Sequence, residues 1–124
     1  PALAAGKVVV SNRSFISFLA YQIYGRQQFD WKEFLETGIK KIYEGVPIDL
    51  VVVLDVPVAE GRARQKAMGK IPDTMESMID AAHERIQKAY LEVAATIPTA
   101  VVIDASQPID AVWEDVKKAV TSIL

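Results

Sequence analysis

Three runs of consecutive β-branched and apolar residues set the limits on how this chain can fold. They are Lys7 to Ser11, Asp49 to Val56, and Thr99 to Asp104. None shows the apolar–polar alternation of a strand with one wet face, so each is expected to be a strand covered on both sides. Each carries a polar residue at or next to its end (Ser11, Asp55 and Asp104), and a helical pattern follows each. Strands alternating with helices in this way predict a parallel, doubly wound α/β sheet.

The helical patterns carry their own punctuation. Ser14 to Ile23 is apolar and aromatic and closes near Gly25. Asp30 is placed to cap the next helix, with Glu33 three residues on completing a capping box. That helix carries Phe34, Leu35, Ile39, Ile42 and Tyr43 on one face, and Gly45 stops it. Pro57 opens a helical segment that runs to Met68 before Gly69. Met75 to Thr96 reads as one long helix ended by Pro98. Pro108 starts the last, with Ile109, Val112, Trp113, Val116 and Val120 at helical spacing. Trp31, Tyr90 and Trp113 read as packing residues.

Size and composition narrow the function classes. With 124 residues the chain suffices for one domain with a core, so residues 1–124 are read as a single domain or part of one. A net charge of -2 argues against a general nucleic-acid binder, which needs clustered positive charge. The absence of cysteine excludes disulfides and thiolate metal sites and suits a cytoplasmic protein. No apolar run is long enough to span a bilayer as a helix, so no membrane partner is expected. His83, the only histidine, is flanked by Glu84 and Arg85 and reads as a surface or interface residue, not a metal ligand. The first residue is not methionine, and Ala2-Leu3-Ala4-Ala5-Gly6 reads like a helix's last turn with its glycine cap. The chain is therefore expected to be a piece of something longer.

Arg13 is the residue with most chemical meaning. It stands directly after the first strand pattern, where open α/β sheets bind ligands. Its guanidinium is a rigid fork of donors suited to a phosphate, and beside a buried strand it must find an anion or reach solvent. Asp55 and Asp104, at the ends of the other two strands, suit either catalytic carboxylates or caps of the following helices. Gly69-Lys70-Ile71-Pro72-Asp73, after Arg62, Arg64 and Lys66, suits either a basic cover over a phosphate site or a solvated helix face and turn.

Taken in order, these landmarks resemble the C-terminal part of the thymidylate kinase family. Asn12-Arg13 stands at the family's Asp-Arg motif, and Ser17 with Ala20-Tyr21-Gln22 stands on the nucleotide-binding helix that follows. Leu54-Asp55-Val56 is similar to the next strand's end, and Arg62 to Glu76 to the lid. Ala89-Tyr90-Leu91-Glu92-Val93-Ala94 and Ile103-Asp104-Ala105-Ser106-Gln107 resemble the long helix and the last strand. The resemblance implies a P-loop kinase-type parallel sheet with helices on both faces, three of its strands present here. It also implies transfer of phosphate from ATP, with magnesium, to thymidine monophosphate (dTMP).

Residue roles follow from the same resemblance. Arg13 would bind the acceptor phosphate, with Ser17, Tyr21 and Gln22 beside the nucleoside. Spacing agrees, since Ser17 and Tyr21 are four apart and share a helical face. Arg64, Lys66 and Lys70 would be lid cations acting with Arg13 in catalysis. Ala105, Ser106 and Gln107 would line the adenine site. Asn12 would lie near the magnesium, with an amide where the family has an acid, which holds a cation less well. Ile16, Phe18, Met68 and Thr74 depart from the family's pattern as well. No Gly-x-x-x-x-Gly-Lys-Ser/Thr occurs in the 124 residues. An N-terminal P-loop segment is therefore expected to complete the sheet, and the chain alone is expected to be inactive and to leave apolar surface unpaired. The family also implies a homodimer. A deoxynucleoside kinase, or a degenerate domain that binds nucleotide or a partner without catalysis, are the alternatives.

Overall fold

The computed structural model describes residues 2–69 and 80–124, and of Trp31, Phe34, Leu35 and Ile42 it describes the backbone. A short 3-10 turn (Leu3–Ala5) precedes helix α1 (Phe15–Leu19), which runs on into a π-helical turn (Ala20–Gly25). A second 3-10 turn (Phe29–Trp31) leads into α2 (Lys32–Ile42). Then come β1 (Val51–Asp55), α3 (Val58–Ala67), α4 (Asp80–Ala95), β2 (Ala100–Asp104) and α5 (Ile109–Thr121). The Met75 start of the long helix and the lid beyond Gly69 lie outside the described residues.

β1 and β2 pair in parallel, in register from Val51↔Ala100 to Asp55↔Asp104. Val53 faces Val102 and Leu54 faces Ile103, so Val53 and Ile103 point to opposite faces of the sheet. Both are buried. Helix α4 packs on both strands and α5 on β2. The α/β class read from the strand patterns is therefore the class observed.

The strand count is corrected. The described sheet has two strands, not three, because Lys7 to Ser11 forms none. Val8, Val9 and Val10 are 71%, 55% and 89% exposed. β-branched composition suits a pleated surface but supplies no ladder, and a strand exists only where a neighbour accepts its hydrogen bonds. Among the described residues this run finds none. The narrow sheet also corrects the reading of Trp113, which is 58% exposed and lies near Lys117. Two strands set about 4.8 Å apart cannot cover the apolar stripe of a helix about 10 Å across.

Helix boundaries follow the local chemistry with two exceptions. Gly69 closes α3 in the left-handed region, φ 62°, and donates its N–H to the Lys66 carbonyl at 3.1 Å. Pro57 and Pro108 occupy the N-cap positions of α3 and α5, so neither helix is capped by Asp55 or Asp104. Asp30 lies inside the second 3-10 turn, whose N-cap is Gln28, and so is not the cap the sequence suggested. Phe29 packs edge-on against Tyr24 at 5.8 Å, which starts the turn one residue before Asp30. None of the described helices is long and apolar enough to cross a membrane.

The core lies between the α1–π-turn run and α4. Ile16, Leu19, Ala20 and Ile23 are buried on one side, and Ala82, Ile86 and Ala89 on the other. Alanines at the contact let the two backbones approach. Gly25 completes the approach, since a Cβ there would stand 2.9 Å from Ile86 Cγ1. Phe15 and Tyr43, with ring centroids 5.2 Å apart, attach α2 to this body.

Candidate active site

The packing of α4 on the α1–π-turn run brings a connected set of polar and aromatic side chains together. Arg13 sits in the bend before α1 at φ 70°, a conformation that strains any residue with a Cβ. Ser11 Oγ donates to the Arg13 carbonyl at 2.7 Å and supports that bend. The guanidinium carbon of Arg13 lies 5.2 Å from the centre of the Tyr21 ring, within cation–π range. Tyr21 meets Tyr90 edge-on, centroids 6.4 Å apart and planes at 87°. The Tyr90 hydroxyl then donates to Ser17 Oγ at 2.6 Å.

This array has a defined protonation state. Burial pushes the Tyr90 phenol above the ordinary tyrosine value, against a smaller opposing effect of Ser17. Tyr90 therefore stays neutral and serves as a donor. Ser17 Oγ accepts that hydrogen bond and keeps its own hydroxyl hydrogen for another acceptor. Gln22 follows Tyr21 on the π-helical turn and is half-buried. Such turns are rare and recur at functional sites.

Tyr90 is the residue that sequence reasoning undervalued. It does pack, but it also joins Ser17 to Tyr21. The available signal was its place four residues after buried Ile86, since a tyrosine on a buried stripe needs a partner for its hydroxyl. One turn earlier, Gln87 Nε2 donates to Asp55 Oδ1 at 2.7 Å. Helix α4 thus ties the carboxyl end of β1 and the Ser17 side chain to one scaffold.

A second cluster surrounds the loop after β2. The Asp104 carboxylate accepts the Ser106 backbone N–H at 2.9 Å and the Ser106 hydroxyl at 2.5 Å. Those bonds, the hydroxyl first, hold its carboxyl below the usual carboxylate value. Gln107 Nε2 donates to the Asp104 carbonyl at 2.9 Å and to Asp115 Oδ2 at 3.2 Å. From α3, Arg64 Nη1 reaches the Ala105 carbonyl at 2.8 Å and Nη2 the Ser106 carbonyl at 3.0 Å. Glu60, one turn earlier, pairs with the same Nη2.

The two clusters divide the residues expected from sequence. Arg13, Ser17 and Tyr21 come together; Ala105, Ser106 and Gln107 form the other group. Arg64, expected over a polyphosphate, stands against the Ala105–Ser106 loop. Lys66 is exposed near the end of α3, and Lys70 lies outside the described residues. Arg62 pairs with Asp80 at 3.2 Å, joining α3 to the start of α4. Asn12 is exposed beside Arg13. Among the described residues no three His, Cys, Asp or Glu side chains form a metal cage. A single amide oxygen at Asn12 suits only an ion such as magnesium that keeps most of its ligands from phosphates and water.

The chain is similar to known proteins over most of its length. The family model described as "Thymidylate kinase" matches residues 1–116. A protein named "Thymidylate kinase" from Limosilactobacillus fermentum (strain NBRC 3956 / LMG 18251) is 34% identical over 129 residues, covering 97% of this chain and 56% of that relative. The chain therefore spans a little over half the length of that curated relative.

Proposed function

The chain belongs to the thymidylate kinase family, and on that premise we propose that the full-length protein transfers the γ-phosphoryl group of ATP to dTMP, giving dTDP. In this reading the chain carries the acceptor-binding and lid portions. The observation that carries it is the Arg13–Tyr21–Tyr90–Ser17 array: a cation, an aromatic wall and a free hydroxyl hydrogen on one side of the fold.

Each member of the array has a task. Arg13 holds the acceptor phosphate by charge and a fork of donors, leaving the Tyr21 ring when the anion arrives. Tyr21 and Tyr90 exclude water and flank the nucleoside, and Ser17 with Gln22 offers hydrogen bonds on the same side. An acceptor phosphate oxygen then attacks the γ-phosphorus in line, and the bond to the β-phosphate oxygen breaks to leave ADP. Positioning and charge do most of the work in such transfers. Lys66 and Lys70 are assigned to the lid, over the polyphosphate. Asn12 would contribute an oxygen to magnesium, which neutralises phosphate charge when bound. Ala105, Ser106 and Gln107 form the wall for the donor's base, at a strand's carboxyl end.

The ATP-phosphate loop is assigned to residues outside these 124, because no such motif occurs within them. Its strand would pair with the exposed Val8–Val10 run, so the chain alone is expected to be inactive. A single domain completed in this way, pairing as a cytoplasmic homodimer, is the organisation proposed. The test is a coupled assay of ADP release by the full-length protein with dTMP, thymidine or no acceptor. Release that requires dTMP supports the reading, and equal turnover of thymidine sinks it.

A further inference from the structure

We propose that Arg64 is a positioning residue for the phosphate donor's base, fastening helix α3 to the Ala105–Ser106 loop; the proposal rests on the kinase reading above. The loop is tied from three elements. Asp104, at the end of β2, holds both donors of Ser106. Asp115 of α5 holds Gln107. Arg64 ties it to α3 through two successive backbone carbonyls, Ala105 and Ser106. Glu60 fixes the same guanidinium from one turn away.

The geometry separates two tasks. A guanidinium that already serves two carbonyls and a carboxylate must abandon them to neutralise a polyphosphate. Arg64 therefore acts on the base wall, whereas Lys66, exposed two residues on, stays available as a cation. A planar fork spans two adjacent carbonyls; a lysine ammonium is a point charge and holds them without fixed geometry. The loop's shape, and with it the choice between purine bases, then depends on Arg64.

Equilibrium titration of the full-length protein with ATP and with GTP reads this directly, beside steady-state kinetics with dTMP. Losing two charge-assisted hydrogen bonds in Arg64→Ala is expected to weaken ATP binding about tenfold. The preference for ATP over GTP, or the reverse, is expected to shrink toward unity while KM for dTMP stays within about twofold. Arg64→Lys should recover little of the preference, and Glu60→Gln should shift it in the same direction by about two- to threefold. Unchanged ATP binding and base preference, with a fall in kcat that Arg64→Lys restores, would assign Arg64 to the polyphosphate and overturn the proposal. A parallel rise in the constants for ATP and dTMP with base preference intact would reduce it to general support of the fold and also overturn it. Failure of the wild-type protein to phosphorylate dTMP would instead remove the kinase reading, leaving the titrations to decide on Arg64.

Discussion

The Arg13–Tyr21–Tyr90–Ser17 array is built of side chains that touch through ring faces, a ring edge and one hydroxyl, whereas the Ala105–Ser106 segment is held from α3 through two backbone carbonyls. The first arrangement leaves functional atoms available, among them the Arg13 guanidinium and the Ser17 hydroxyl hydrogen. The second occupies its carbonyls and so presents a shaped wall. Changing one side chain in the array should therefore alter acceptor handling, and changing a tether of the loop should alter donor handling.

The largest effect is expected at Arg13. Arg13→Ala should lower kcat/KM for dTMP by about a hundredfold or more, the scale of losing a charge that meets developing negative charge. Arg13→Gly should be equally inactive yet more stable than Arg13→Ala by about 1 kcal/mol, because glycine accepts positive φ without strain. Denaturant unfolding of the two variants reads the difference, and equal stability would refute the strain.

Next in size is Gly25→Ala. A methyl 2.9 Å from Ile86 Cγ1 must displace the α4 contact beneath Tyr21 and Tyr90. The expected loss is about 1–3 kcal/mol of stability, measured as a lowered urea midpoint. A variant of wild-type stability would show that the helix contact is looser than described.

Tyr90→Phe keeps the ring edge and removes the bond to Ser17. It should cost about 1 kcal/mol in stability and raise KM for dTMP several-fold while leaving KM for ATP alone. It also carries a pH signature. Burial raises the phenol's pKa, so the stability that Tyr90 contributes is complete below the ordinary tyrosine range and is lost as pH rises through the raised value. Alkaline unfolding should accordingly be shallower in Tyr90→Phe than in the wild type.

Asp104→Asn is the gentlest break, on the donor side. The lowered carboxyl pKa means that its support of the loop is present above the ordinary carboxylate range and is lost as pH falls through the lowered value. The variant should show weaker ATP binding by a small factor, unchanged dTMP kinetics, and a smaller acid-induced change in the loop. Slow amide exchange at Ser106 in the wild type, accelerated in the variant, would register the lost bond.

How much of this was legible in the sequence depends on which partner each residue needs. Val51–Val53 and Val8–Val10 are the same triplet, yet the first pairs with β2 and the second stands exposed. A β-branched run states what kind of neighbour it suits and not whether one is present. Arg13, Ser17 and Tyr21 were readable as neighbours because helical spacing puts Ser17 and Tyr21 on one face close to Arg13, although the strand expected before Arg13 is not formed among the described residues. Tyr90 was not singled out, since its partner Ser17 lies 73 residues away. Arg64 was read as a lid cation because the acceptors it finds are main-chain carbonyls, which every residue possesses and no pattern marks.

Binding measures, without catalysis, whether Arg13 reads a phosphate on the acceptor as proposed. Titrating dTMP and thymidine into the full-length protein and its Arg13→Ala variant closes a four-way cycle. The wild type should prefer dTMP by at least about tenfold, and the variant should lose that preference. An undiminished preference for dTMP in Arg13→Ala would contradict it.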